Sequence, residues 1–135
     1  MITAVDTNIL LDVFADDPDF ASRSKGWLRS AYDRGAIVAC DIVYAELAPA
    51  FPDRASLDHA LRMLGATVSP ITTDIAYDAG RRWLRYRRAG GPRKRIITDF
   101  LIGAHALSTA DIFLTRDRGF YRTYFPELGT RTPEP

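Results

Sequence analysis

Asp6, Glu46, Asp99 and Asp117 differ from the other acids of this chain in where they fall. Asp6 directly follows the run Ile2-Thr3-Ala4-Val5 and precedes Thr7-Asn8, and Asp117 comes just past Ile112-Phe113-Leu114-Thr115. Glu46 lies in the first turns of a helical pattern after Ile37-Val38-Ala39-Cys40, and Asp99 lies in the first turn of a later one. If the two flanking runs are neighbouring parallel strands, Asp6 and Asp117 approach the carboxyl edge of a sheet, where open α/β folds bind ligands. Helix N-termini collect at the same edge, which draws Glu46 and Asp99 towards it. Carboxylates gathered in this way repel one another, and one of them tends to keep its proton. A hard divalent cation removes that penalty. Magnesium prefers oxygen ligands, usually takes one or two carboxylates directly and keeps several waters. Such an ion lowers the pKa of bound water and neutralises charge on a phosphodiester, and a pair of ions can clamp the attacking and leaving oxygens.

Taken singly, each acid has a plainer reading. Asp99 after Thr98 is a first-turn acid of the kind the helix dipole favours. Glu46 reads as a solvated helix residue and Asp117 as a turn residue. Asp6 is the hardest to dismiss, because an acid between an apolar strand and Thr-Asn is an odd cap for a buried element. The constellation carries the signal.

The elements that must position these residues alternate between short β-like runs and helical patterns, which predicts an α/β fold with a mostly parallel sheet of four to five strands flanked by helices. Residues 2–5 form the first expected strand, and Ile9, Leu10 and Val13 then sit at helical spacing. Pro18 is expected to open a second helix that Gly35 ends. Residues 37–40 make the second strand, with Asp41 as N-cap of the Glu46 helix. Pro52-Asp53 restarts a helix that stops at Gly65, and residues 67–71 form a third strand, placed at or near an edge by Pro70. Thr72 or Thr73 caps a helix to about Ala89, where Gly90-Gly91-Pro92 breaks the chain. A helix from about Thr98-Asp99 to Leu107 leads into a fourth strand at 111–115, and the tail from Pro126 adds a weakly patterned last strand.

With 135 residues, 47% of them apolar and 26% charged, the chain reads as one domain over 1–135 with its own core. A formal net charge of +1 gives no overall bias towards nucleic acid, so any basic surface must be local. Cys40 is the one cysteine; it excludes an internal disulfide and a cysteine-based metal site, and reads as a buried thiol. The opening residues lack a basic stretch followed by a long apolar one, and no run approaches the ~18 apolar residues of a membrane helix. A cytoplasmic, unprocessed protein is the expectation.

Four segments resemble one family. Val5-Asp6-Thr7-Asn8-Ile9-Leu10-Leu11-Asp12 resembles the opening of a PIN domain, and Tyr44-Ala45-Glu46-Leu47 its second acidic motif. Thr98-Asp99-Phe100-Leu101-Ile102-Gly103-Ala104-His105-Ala106 is similar to the third, and Leu114-Thr115-Arg116-Asp117-Arg118-Gly119-Phe120 to the fourth. Each is weak alone; four in order across nearly the whole chain are specific. Length and wording look most like the VapC subgroup, the toxin half of bacterial and archaeal type II toxin–antitoxin pairs. The resemblance implies a Mg²⁺- or Mn²⁺-dependent endoribonuclease acting on structured RNA such as tRNA or rRNA. It implies metal-ligating, catalytic carboxylates at Asp6, Glu46, Asp99 and Asp117, with Asn8 and Thr115 in support. It also implies a homodimer and a small VapB-type antitoxin that reaches towards the acidic pocket. The tail from Phe125 to Arg131 departs from the family's usual last strand.

Arg81, Arg82, Arg85, Arg87, Arg88, Arg93, Lys94 and Arg95 crowd into fifteen residues without an acid, 8 of the 18 basic residues. Running into Asp99, this cluster is expected to lie beside the pocket, with Arg81, Arg85, Arg88, Arg93, Lys94 and Arg95 as candidate phosphate contacts and Trp83 or Tyr86 as candidate stacking partners. The competing account makes Ile75, Ala79, Trp83 and Tyr86 a core stripe and the arginines its solvated opposite face, with Asp78 pairing Arg81 and Arg82. His105 reads as a packed or partly exposed histidine. Three other functions compete with an RNA-cleaving toxin: a PIN nuclease of RNA maturation without an antitoxin, an acidic-pocket phosphatase, and a catalytically inert binding module. Aspartate-nucleophile phosphatases place Asp-x-Asp after the first strand, and here Asn8 fills the second position. Retention of all four acids argues against the inert module.

Overall fold

The computed structural model describes residues 1–91 and 97–132. Arg93, Lys94 and Arg95, three of the expected RNA contacts, lie outside the described residues, as does Pro92. In chain order the elements are β1 (Ile2–Val5), α1 (Thr7–Phe14), α2 (Ala21–Arg34), β2 (Ala36–Cys40), α3 (Asp41–Leu47), α4 (Arg54–Met63), β3 (Ala66–Ser69), α5 (Thr73–Arg88), α6 (Ile97–Thr109), β4 (Ile112–Leu114), α7 (Arg118–Tyr124) and β5 (Gly129–Arg131), with a short 3₁₀ turn at Ala48–Ala50.

All five strands are parallel, in the order β3-β2-β1-β4-β5. The chain adds strands outward from β1 on one side and then returns to add β4 on the other. The order therefore reverses between β1 and β4, and their carboxyl ends flank the switch point where such sheets bind ligands. The register fixes Val5 opposite Leu114, so that the residues following each strand leave the sheet side by side.

The inner strands are near-continuous apolar runs because helices cover both faces: Ala4, Val5, Ile37, Ala39, Phe113 and Leu114 are all buried. Cys40 is buried as expected, and burial pushes its thiol up to about 11. Gly35 turns α2 into β2 at φ 152°, where a Cβ would meet the Met1 carbonyl oxygen.

Several boundaries differ from expectation. The second helix starts at Ala21, not Pro18, because the Asp17 carboxylate accepts the N–H groups of Asp19 and Phe20 and closes a separate turn first. Asp41 is the first helical residue of α3, not its cap; its carboxylate turns away to accept the Ile71 N–H at 3.3 Å. The third strand ends at Ser69 and is an edge strand, and the fourth shrinks to Ile112–Leu114. Thr72 caps α5, its hydroxyl accepting the Ile75 N–H. α6 runs to Thr109, and the weakly patterned tail does form β5.

The element with no forewarning is α7. Its sequence, Arg-Gly-Phe-Tyr-Arg-Thr-Tyr, carries little helix propensity. Aromatic packing holds it: Phe120 meets Phe100 at 5.2 Å, Tyr121 meets Phe113 at 4.7 Å, and Tyr124 meets Tyr86 at 5.0 Å. Tyr86 also meets Phe100 at 5.4 Å. Next to this cluster α6 has Gly103, where a Cβ would lie 2.5 Å from the fully buried Phe125 ring. Gly103→Ala is expected to lower unfolding free energy by about 1–3 kcal/mol despite alanine's better helix propensity, because the ring has no room to retreat. Urea denaturation reads the change, and an unchanged or raised midpoint would contradict the packing described.

Candidate active site

Asp6 is the N-cap of α1 and follows the last residue of β1. Its backbone N–H still bonds the Leu114 carbonyl at 3.0 Å, which holds it at the sheet edge beside β4. The side chain is 7% exposed. Oδ1 accepts the Thr7 N–H at 2.8 Å, and Oδ2 accepts the Thr115 hydroxyl at 2.7 Å and the Asn8 amide at 3.5 Å. Burial pushes this carboxyl up to about 6; the two stronger hydrogen bonds oppose the shift, and the negative charges of Glu46 and Asp99 add to it.

Glu46 approaches from α3. Its Oε1 accepts the Thr7 hydroxyl at 2.6 Å, so that one threonine holds Asp6 through its backbone and Glu46 through its side chain. Asp99 stands in the first turn of α6, where the Tyr121 hydroxyl of α7 donates to its carbonyl at 3.4 Å. Asp117 is the N-cap residue of α7, and its N–H donates to the Thr115 hydroxyl oxygen at 3.0 Å. Thr115 is fully buried and links the two strand-end acids, donating to Asp6 and accepting from Asp117. The geometry thus brings Glu46 and Asp99 near enough for their charges to act on Asp6 and sets the Asp117 backbone one hydroxyl away. Asn8 also touches the site from the other side, accepting the Arg116 N–H at 3.4 Å.

Two residues went unrecognised in the sequence, Thr7 and Tyr121. Thr7 lies inside the first motif, and its position directly after Asp6 was the available signal. Tyr121 lies just past the fourth motif, in a helix whose existence the sequence did not announce.

Among the described residues, no three His, Cys, Asp or Glu side chains stand in a ready-made metal cage. The donor set nevertheless suits a hard cation. It is all oxygen, its buried member is pushed towards its neutral form partly by the neighbouring carboxylates, and magnesium asks for only one or two direct carboxylates.

The expected basic surface is only partly described. α5 runs antiparallel to α6, since Tyr86 packs on Phe100 while Arg82 lies over the Phe125 ring that covers Gly103. The C-terminal turn of α5 therefore ends near the start of the Asp99 helix. Arg85 and Arg88 are exposed there, and Arg81 is exposed one turn earlier. Arg82 is committed elsewhere, to Asp78, Glu127 and the Tyr124 carbonyl. Of the core stripe, Ile75, Ala79 and Tyr86 are buried, which removes Tyr86 as a stacking partner, while Trp83 is half-buried with Arg87 5.0 Å over its ring. His105 is packed in the interior, 1% exposed.

The PIN domain family model matches residues 3–126. This chain belongs to the PIN-domain family, a family of nucleases. No curated protein matches the sequence. Solved structures do. VapBC2 from Rickettsia felis, bound to a DNA fragment from its promoter, aligns with TM-score 0.75 at 20% identity over 99% of this chain and 100% of that one. VapBC-1 from nontypeable Haemophilus influenzae aligns with TM-score 0.72 at 20% identity over 98% of each chain. FitAcB from Neisseria gonorrhoeae aligns with TM-score 0.72 at 19% identity over 98% of each. At these identities the likeness is one of fold.

A raised Asp6 pKa sets a pH dependence. In the unfolded chain the carboxyl ionises near 3.8, in the folded one near 6. Below the first value both states hold the proton and Asp6 carries no penalty; between about 3.8 and 6 the unfolded chain releases a proton that the folded one keeps, so stability falls progressively and levels off above about 6. Without divalent ions, wild-type stability relative to Asp6→Asn is expected to fall by about 2–3 kcal/mol between about pH 4 and pH 7, nearly all of it below about pH 6. Urea titrations at the two pH values in EDTA measure this, and a pH-independent difference would contradict it.

Proposed function

We propose that this protein is a divalent-metal-dependent endoribonuclease of the VapC type, the toxin of a type II toxin–antitoxin pair, cleaving phosphodiester bonds of structured RNA such as tRNA or rRNA. The observation that supports the reading is a buried Asp6 at the β1/β4 switch point, pushed up to about 6 with the charges of Glu46 and Asp99 acting on it. Whole-chain likeness to VapBC and FitAcB folds supports the subgroup.

In this reading Asp6 and Asp99 hold Mg²⁺ or Mn²⁺ most directly, with Glu46 and Asp117 completing the set. The ion, when bound, supplies a water of lowered pKa and neutralises phosphate charge. Thr7 and Thr115 fix both oxygens of Asp6, so its lone pairs point in set directions. Glu46, exposed and held through Oε1 by the Thr7 hydroxyl, would also accept a proton from the attacking water in this reading. Arg81, Arg85 and Arg88 hold RNA phosphates, with Arg93, Lys94 and Arg95 extending the track. The working form is a cytoplasmic homodimer of one PIN domain spanning 1–135, inhibited by a VapB-type antitoxin. A small antitoxin gene beside this one separates the toxin from a maturation nuclease.

Purified protein incubated with total cellular RNA and Mg²⁺ or Mn²⁺ is expected to give discrete fragments. EDTA is expected to abolish them, and Asp99→Asn to slow them by about 100-fold or more. Cleavage that persists in either control would overturn the site; a folded wild type that binds RNA without cutting any would favour the inert module. On a cleaved oligonucleotide, replacing Arg81, Arg85 and Arg88 together by alanine is expected to raise KM by about tenfold, to leave kcat unchanged and to flatten the salt dependence. Equal loss of both constants would move these arginines out of substrate binding.

A further inference from the structure

Arg116 lies between Thr115 and Asp117 yet points away from the acids. Its guanidinium grips Asp12 of α1 in a fork, Nε to Oδ2 at 3.0 Å and Nη2 to Oδ1 at 2.9 Å. Asp12 is 3% exposed and takes a further hydrogen bond from the Ser24 hydroxyl of α2 at 2.8 Å. Arg116 also lies over the Phe20 ring at 4.1 Å. Its backbone N–H donates to Asn8, four residues before Asp12 and so on the same face of α1. α1 thus takes hold of Arg116 twice, once by the main chain and once by the side chain. On one flank of Arg116, Thr115 bonds Asp6; on the other, the Asp117 N–H bonds Thr115.

A buried carboxylate paired in this way adds little net stability over an apolar pair. What the fork does supply is direction, since bidentate guanidinium–carboxylate pairing fixes both groups in plane.

We propose that Arg116 and Asp12 are positioning residues for the acidic site: their ion pair clamps the Thr115–Asp117 segment onto α1 and so sets where Asp117 stands relative to Asp6. The role rests on the metal-nuclease reading. Neither residue touches metal or substrate; both act through Thr115 and Asp117.

The test is Mn²⁺ alone, titrated calorimetrically into wild type, Arg116→Lys, Asp12→Asn, the double variant and Lys25→Met, which removes only an exposed pair with Asp16. Lysine keeps the charge but loses the fork and the flat stacking. Asparagine keeps the shape of Asp12 and the Ser24 contact, and serves if the lysine variant folds poorly. Folded fraction is checked by urea titration at the same temperature. Each single variant is expected to weaken Mn²⁺ binding by about tenfold or more. The double variant should do no worse than the singles, Lys25→Met should match wild type, and amide exchange at Thr115–Asp117 should quicken. Folded variants that bind Mn²⁺ as tightly as wild type would overturn the positioning role alone. A wild type that binds no Mn²⁺ would overturn the nuclease reading, and this role with it.

Discussion

The site depends on keeping a carboxylate where water barely reaches it. Asp6 must leave β1 while still bonded to β4, and that attachment buries its side chain. A group in that position needs donors on both oxygens, and α1 and β4 each provide one, the Thr7 N–H and the Thr115 hydroxyl. The same two threonines then reach onward, Thr7 to Glu46 and Thr115 to the Asp117 N–H. Neutralising one buried acid is thus what links the remaining parts of the site. The donors alone leave Asp6 raised, so the arrangement has an unmet demand for positive charge, which is the physical meaning of an acidic site in a nuclease family.

The parts of this architecture legible in the sequence were those governed by short-range rules. Parallel strands buried on both faces must be apolar, so 2–5 and 37–40 announced themselves, and the acids after the first and fourth runs followed from chain direction alone. Helix starts were less legible, because a capping acid and a turn-closing acid look alike in sequence. Asp17 closes a turn that Pro18 was expected to open as a helix, and Asp41 serves a distant N–H instead of its own helix. The site's connecting groups were hidden for a different reason. Tyr121, Asp12 and Arg116 act through partners up to 104 residues away, and no local pattern encodes such a meeting.

α7 shows how the tertiary environment can override propensity. Glycine and aromatics over Arg118–Tyr124 argue weakly for any helix. Yet Phe120, Tyr121 and Tyr124 each find an aromatic partner on α5, α6 or β4. The packing does more than fill space: Tyr121 reaches the Asp99 carbonyl, so the aromatic cluster also ties the fourth acidic segment to the third.

The pairing of the first strand with the fourth has a consequence for the order of synthesis. Asp6 and the hydroxyl that holds it are 109 residues apart, and Ile2 waits equally long for the Asp111 carboxylate. Contacts so distant form late, after the entropy of closing a long loop has been met. A chain leaving the ribosome amino end first therefore carries its first acid from the outset but has no assembled pocket. β2 can pair with β1 early; β4, which completes the cleft, follows only after β2, β3 and α6. The acidic centre therefore comes together only once β4 is in place, because the hydroxyl that holds Asp6 follows that strand.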